Sequence, residues 1–298
     1  MRSVAQSDRN LHSCADYNGF RVTSIRLLAI DIDGTLLNAK FQVSDENLAA
    51  LRRAHALGVE IALVTGRRHK FALPIAEQLG VPLTLISSNG ALTRSLTGET
   101  HHRDLLPMEV ARQLCHEMQA FTKHMVISFD HDQPGALAIE SFAAFTGSIF
   151  GWIEKNRAFI ECVSPIEKCL TTDPIQAMFC GSFDAMRMLR QSLSASAVVK
   201  HLTVLRTEYP MRDLAIIDLM NRSCSKGAAI SRWAERLGIS QAGVMAIGDN
   251  HNDIEMLEFA GVPVIMGNAC EELTSRGWHV TSTHDDHGVA RAIERFIE

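Results

Sequence analysis

The sequence contains no apolar run of the ~20 residues that a bilayer span requires; the hydrophobic stretch at Leu27 to Ile30, for one, is broken at once by Asp31. A membrane-spanning helix is therefore not expected. It also lacks C-x-x-C pairs. Its seven cysteines (Cys14, Cys115, Cys162, Cys169, Cys180, Cys224 and Cys270) are odd in number and scattered, which argues against a zinc site or a dithiol redox centre. Small buried hydrophobes are the expected role for most of them. With only 8 prolines and 19 glycines in 298 residues, and 46% hydrophobic against 21% charged residues, global disorder and fibrous repeats are excluded. There is no surplus of positive charge either: 29 Lys and Arg against 34 Asp and Glu leave a net charge of -5, which argues against a generic polyanion binder. Nucleic acid and membrane are not expected partners, and the cytoplasm is the expected location. Residues 1–24 have no apolar core of the secretory kind and are expected to be a frayed extension.

What is present is an alternation of short apolar runs with helical stretches. Ile25 to Asp31 is nearly uninterrupted in apolar character, as in a strand buried on both faces of a parallel sheet. Ser44 can cap a helix carrying Leu48, Leu51 and Ala54, and Gly58 sits where a left-handed terminus is wanted. A second run, Val59 to Val64, stops at Thr65-Gly66-Arg67, and a third, Leu83 to Ile86, closes on Ser87-Ser88-Asn89-Gly90. Strand, helix, strand, helix, strand implies a doubly wound parallel α/β sheet with right-handed crossovers. From Ala91 the rhythm changes to a hairpin at Thr97-Gly98, a helix from Pro107, and runs at Val126, Gln176, Val198 and Leu214, the signature of an α+β insert. The expected division is a core of residues 25–90 and 218–298 interrupted by an inserted domain of residues 91–217. At this length two domains are the default.

The chemistry gathers at strand ends, where open α/β sheets bind ligands. In extended backbone Asp31 and Asp33 of Asp31-Ile32-Asp33-Gly34-Thr35 point the same way. Such a pair suits two jobs, attack on an electrophile and proton shuttling, although a bare D-x-D also reads as a pair capping a turn. A second acidic cluster, Gly248-Asp249-Asn250-His251-Asn252-Asp253, follows the run Val244 to Ile247. Carboxylates from two strand ends make an oxygen-rich site suited to Mg²⁺. Asp253 reads equally as a helix cap and as support for a metal-bound water. Thr65 can donate its hydroxyl to a phosphate oxygen, and Lys226 opens a helix whose N-terminus favours anions. His251 reads as an exposed loop side chain. His101-His102 and His284 to His287 read as solvated turns, since neither has further ligands close in sequence.

DIDGT, VTGR, SKG and GDNHND, in this order, resemble the four motifs of the haloacid dehalogenase superfamily. The position of the insert, Ser-Ser-Asn-Gly at 87 to 90 and Met266-Gly267-Asn268-Ala269 are similar to its Cof-type phosphatases, which carry a C2 cap over a Rossmann-like core. The resemblance implies a Mg²⁺-dependent phosphatase of small phosphorylated metabolites. It implies that Asp31 is the nucleophile and Asp33 the general acid and base. Thr65, Gly66, Arg67, Asn89, Lys226 and Asn252 would then bind phosphate. Asp249, Asp31, the main-chain carbonyl of Asp33, and Asp253 would hold or support the metal. The dehalogenases of the superfamily lack the second acid of the first motif, so Asp33 points to phosphoryl transfer. A phosphomutase using the same residues, a receiver-like phosphoacceptor and a silent sugar-phosphate binder are the competing readings; Asp33 and the large insert speak against the receiver.

Overall fold

The computed structural model describes residues 25–145 and 147–297, so the expected extension at 1–24 lies outside the described residues. The chain begins with the predicted alternation: β1 (Leu27–Ile30), α1 (Asp45–Ala56), β2 (Glu60–Val64), α2 (His69–Gln78) and β3 (Thr84–Ser87). Ser44 caps α1 by accepting from the Asn47 N–H, and Gly58 takes the left-handed conformation behind it at φ +83°. A hairpin follows, β4 (Leu92–Ser95) and β5 (Thr100–Arg103), turning at Gly98.

The chain then builds a second sheet: α3 (Met108–Glu117), β6 (Met125–Ser128), β7 (Leu137–Ile139), α4 (Phe150–Asn156), β8 (Ile160–Cys162), β9 (Gln176–Gly181), α5 (Phe183–Ser194), β10 (Leu202–Tyr209) and β11 (Leu214–Asn221). It returns with α6 (Lys226–Arg236), β12 (Val244–Gly248), α7 (Ile254–Phe259), β13 (Val262–Ile265), α8 (Glu271–Thr274), β14 (His279–Val280) and α9 (Gly288–Phe296).

The first sheet has the order β14-β13-β12-β1-β2-β3-β4-β5, and its first six strands run parallel. Along β1, Leu28 and Ile30 enter one apolar layer while Leu27 and Ala29 enter the other, so both faces are covered by helices. The second sheet, β10-β11-β9-β6-β7-β8, is antiparallel except for β7 beside β8. One of its faces, with Ile127, Phe179 and Ile217, packs against Leu114 of α3 and Leu189 of α5. The opposite face turns towards the first sheet.

The crossing points differ from the expected residues 91 and 217. The hairpin β4–β5 pairs antiparallel with β3, Ser87 beside Leu92, and extends the first sheet, while β11 stays in the second sheet as far as Asn221. A hairpin's own sequence says nothing about which free edge it joins. Here the left-handed turn at Ser88, Asn89 and Gly90 folds the chain straight back along β3. The two true crossings are tied together: Asn221 donates to Asp104 (2.7 Å), and Arg232 of α6 lies 3.5 Å from the same carboxylate. Of the six described cysteines, Cys115, Cys180 and Cys224 are buried, Cys162 and Cys270 are exposed, and all six are free thiols. No helix of the described residues is long and apolar enough to cross a membrane.

Candidate active site

Adjacent parallel strands β1 and β12 end side by side, which brings the DIDGT and GDNHND segments together at one sheet edge. Asp31 is buried there, its N–H bonded to the Ile247 carbonyl (3.0 Å). The turn after it requires Gly34: at φ +83°, a Cβ would lie 2.4 Å from Asp249 Oδ2. Asn268, of the Met-Gly-Asn segment, secures the turn by donating to the Gly34 carbonyl (2.8 Å). Thr35, wholly buried, donates its hydroxyl to Asp249 Oδ1 (2.8 Å) and so aims that carboxylate.

Lys226 enters from the N-terminus of α6, wholly buried, and its ammonium donates to Asp31 Oδ1 (2.5 Å) and Asp253 Oδ1 (2.6 Å). The other oxygen of Asp253 accepts from the N–H groups of Asp249 (3.0 Å) and Asn250 (2.9 Å). Asp253 therefore caps the loop, one of its two expected readings, and also holds the lysine. Gly227 lets α6 approach this closely, because a Cβ would meet the Glu255 backbone at 2.5 Å.

Among the described residues Asp31, Asp249 and Asp253 form a cluster whose oxygens lie within 4.8 Å of one another. Three carboxylates face one ammonium. Burial lifts the Asp31 carboxyl well above its ordinary value; Lys226 opposes this, and Asp253, Asp249 and Asp33 add to it. Asp249 is pushed up to about 7 by burial and by Asp253, against the Thr35 hydroxyl. Burial works against the charged form of Lys226, but Asp253 and Asp31 outweigh it and raise its pKa. An all-oxygen donor set with surplus negative charge fits a hard divalent cation such as Mg²⁺. With both Asp253 oxygens engaged, Asp31 and Asp249 are the carboxylates free to hold it.

Asp33 and Arg67 meet in a way the sequence did not show. Arg67 grips the carboxylate with both prongs, Nε to Oδ2 at 2.7 Å and Nη2 to Oδ1 at 2.5 Å, so its guanidinium is committed to Asp33 rather than left open for a phosphate. Thr65 is buried at the end of β2, its hydroxyl accepting from the Arg67 N–H (3.1 Å). Gly66 is held close by Asn89, whose Oδ1 would stand 3.0 Å from a Cβ there. Asn89 itself sits in the left-handed region (φ 53°, ψ 29°), a strained conformation that aims its amide between two elements. It accepts from Asn252 (3.0 Å) and donates to Asp218 of β11 (3.2 Å). His251 is not an exposed loop side chain as expected; it is half-buried and paired with Glu272 at 3.3 Å. His101 lies beside the Trp233 ring at 5.0 Å.

A cavity of about 360 Å³ opens from Asp31 and Asp33 past Thr65, Gly66, Asn89 and Asn252 to the open face of the second sheet. Residues that the motifs left out line its far wall, including Asp218, Gln176 and Tyr209. Asp218, buried and accepting from Gln176 (2.8 Å) as well as Asn89, is raised to about 7 by burial against those two hydrogen bonds. Its signal was present in the sequence as one acid in the middle of the apolar strand Leu214 to Met220.

A doubly wound core with a second sheet facing an acidic strand-end site defines a capped α/β protein of the kind that binds its ligand between core and cap. The family is fixed directly: residues 28–293 match the model of the haloacid dehalogenase-like hydrolases, and the chain belongs to that family. The chain is 30% identical to phosphatase YwpJ of Bacillus subtilis, over 92% of this chain and 100% of the relative. It is 29% identical to pyridoxal phosphate phosphatase YbhA of Escherichia coli, over 90% of this chain and 97% of the relative. A solved haloacid dehalogenase-like hydrolase from B. subtilis superposes with a TM-score of 0.76 at 28% identity, covering 92% of this chain and 100% of that one.

Proposed function

We propose that this chain is a divalent-metal-dependent phosphatase of small phosphorylated metabolites that passes the phosphoryl group through Asp31. The observation that carries the reading is the buried contact of Asp31 with Lys226 and the Asp249 cluster, with a second carboxylate two residues away at the mouth of the same cavity. The similarity to relatives named phosphatases supports it.

Asp31 Oδ1 is occupied by Lys226, so Oδ2 attacks phosphorus as the bond to the leaving oxygen breaks, and Asp33 gives that oxygen its proton. Asp33 then takes a proton from water, which attacks the same phosphorus and breaks its bond to Asp31, releasing inorganic phosphate. Asp31 and Asp249 would hold a divalent cation, which would supply charge neutralisation for the transfer. Thr65 and the Gly66 and Arg67 backbone cradle those oxygens, and Lys226 balances the charge. Arg67 keeps Asp33 parked until an entering phosphate offers the guanidinium a second anion. The second sheet, with its connections (residues 104–221), acts as the lid, and residues 25–103 and 222–297 act as the catalytic core.

Release of inorganic phosphate from a panel of phosphate monoesters, measured with Mg²⁺ and with EDTA, tests this. Turnover that needs Mg²⁺ and disappears in Asp31→Asn is expected. Full activity in EDTA overturns the metal requirement, and phosphoryl retention on the product alcohol would make the chain a mutase.

A further inference from the structure

The leaving oxygen of a phosphate ester lies between the phosphoryl group, held by the core, and the organic part, which faces the second sheet. Asp33 can serve only one of its two lone pairs. The other side of the cavity is reached by β10, the edge strand of the second sheet, which packs against the turn His251–Asp253. Side chains alternate along a strand, and the antiparallel register sets Leu205, Thr207 and Tyr209 opposite Asp218, Ile216 and Leu214 of β11. Thr207 and Tyr209 therefore share the face of Asp218 and Ile216, and all four line the cavity that holds Asp31, Asp33 and Arg67.

Tyr209 ends the strand at the catalytic side of this wall. It is 36% exposed, so a ligand can reach it, and among the described residues its hydroxyl has no hydrogen-bond partner. The cationic donors around it are committed: Arg67 gives both prongs to Asp33, and Lys226 is shared by Asp31 and Asp253. Partial burial first, and then the carboxylates of Asp33, Asp31, Asp249 and Asp218, push the phenol up to about 12. Asp33 is the carboxylate that acts on it most, and the phenol in turn raises Arg67. The hydroxyl thus keeps its proton at any working pH and stands beside the acid as a permanent donor.

We infer that the Tyr209 hydroxyl is a catalytic donor supplied by the second sheet, which hydrogen-bonds the leaving oxygen on the lone pair that Asp33 does not serve. This rests on the phosphatase reading above and adds a residue to that site. As the bond to phosphorus breaks, negative charge grows on the leaving oxygen, so a donor fixed there binds the transition state more strongly than the ester. No proton changes hands at Tyr209. Asp33 gives the leaving oxygen its proton, and the phenol keeps its own. The acid comes from the core and the donor from the second sheet, so full turnover needs both walls in place.

Tyr209→Phe tests the inference, because it removes the hydroxyl and keeps the ring. Wild type and variant are compared with Mg²⁺ on benzyl, phenyl and p-nitrophenyl phosphate, whose leaving oxygens need progressively less help, using kcat/KM because it reports the step in which that oxygen departs. The variant should lose about ten- to thirtyfold on benzyl phosphate and about threefold or less on p-nitrophenyl phosphate, with phenyl phosphate between them. The benzyl-to-p-nitrophenyl ratio should therefore fall about three- to tenfold, a quotient taken within one enzyme and so insensitive to the folded fraction. Inhibition by inorganic phosphate, which has no ester oxygen, should stay the same. An unchanged ratio, whether both esters lose equally or neither loses, overturns the inference and leaves the phosphatase reading intact. So does a weakening of phosphate inhibition as large as the loss on benzyl phosphate, since the phenol would then hold the phosphoryl oxygens. Wild-type inactivity on all three esters overturns the phosphatase reading, and the assignment of Tyr209 falls with it.

Discussion

The two walls of the cavity are built on opposite principles. On the core side, charges are crowded and fixed by backbone: Asp31, Asp249 and Asp253 converge from two strand ends, and each carboxylate is held by a lysine, a hydroxyl or main-chain N–H groups. On the cap side the surface is a sheet face, mostly apolar, with a few polar atoms whose partners are only half supplied. The first arrangement suits a group that is the same in every substrate, the phosphoryl group. The second suits a part that differs between substrates. The contrast also explains what each wall tolerates, since a charge cluster fails when one member is removed, whereas a packed slot changes its preference.

The sharpest way to break the comparison is at Asp31. Asp31→Asn keeps shape and burial but removes the attacking charge, and turnover should fall at least about a thousandfold for every substrate alike. A variant keeping a tenth of the activity in a phosphate-release assay would remove Asp31 from the covalent step. Asp33→Asn should separate substrates by leaving group rather than by shape. Proton donation contributes about 10²–10⁴ in rate, so the loss should be steep for alkyl phosphates and shallow for p-nitrophenyl phosphate, whose phenolate leaves without help. Equal losses on both would count against Asp33 as the acid.

A smaller effect is expected where the walls meet. Arg94 of β4 and Arg103 of β5 both reach Asp130, which follows β6, at 2.6 and 2.9 Å, and the Arg94–Asp130 pair is largely shielded. Arg68 adds a hydrogen bond to the His131 carbonyl (2.9 Å). These contacts tie the segment that follows β6 to the hairpin β4–β5 and to the start of α2. Asp130→Asn should raise KM about three- to tenfold with kcat nearly constant, because it loosens the second sheet against the first without touching the acids. A kcat loss with constant KM would show that the tie acts on chemistry instead.

How much of this is legible in the sequence follows the same division. The core wall is readable because each of its residues sits in a short segment whose order places it: a carboxylate after an apolar strand, an acid cluster after another, and a lysine at a helix start. Parallel pairing of β1 with β12 then brings Asp31 beside Asp249 across more than two hundred residues. The cap wall is not readable, because Gln176, Asn156 and Tyr209 become neighbours only through antiparallel registers and a covering helix that no local pattern announces. The hairpin β4–β5 joins the other sheet from the one expected for the same reason, since pairing partners are a long-range property. The resemblance implies that Arg67 binds phosphate; the sequence could not show that its guanidinium is paired with Asp33.

The smallest net effect is expected at Asp218, where the two walls touch through Asn89. Its carboxyl is fully buried and raised from 3.8 to about 7 chiefly by burial, while the hydrogen bonds from Asn89 and Gln176 pull the other way. A carboxyl whose folded-state value lies above its unfolded one favours the folded state at low pH, and that contribution is lost as pH rises from 3.8 to about 7. The full swing is about 4 kcal/mol at most, at about 1.4 kcal/mol for each tenfold change in proton affinity. Asp218→Asn cannot titrate, so the wild type should lose stability relative to the variant as pH rises across that interval. At neutral pH the variant's gain is offset because the amide keeps one acceptor oxygen and turns its own NH₂ toward the second of the two NH₂ donors, Asn89 or Gln176. Urea midpoints of both proteins across the same interval provide the check; Asp31 and Asp249 titrate in each and cancel in the difference. Parallel stability curves would mean that Asp218 is already ionised in the folded protein at the acid end, and that the cap wall presents a permanent negative charge to the ligand.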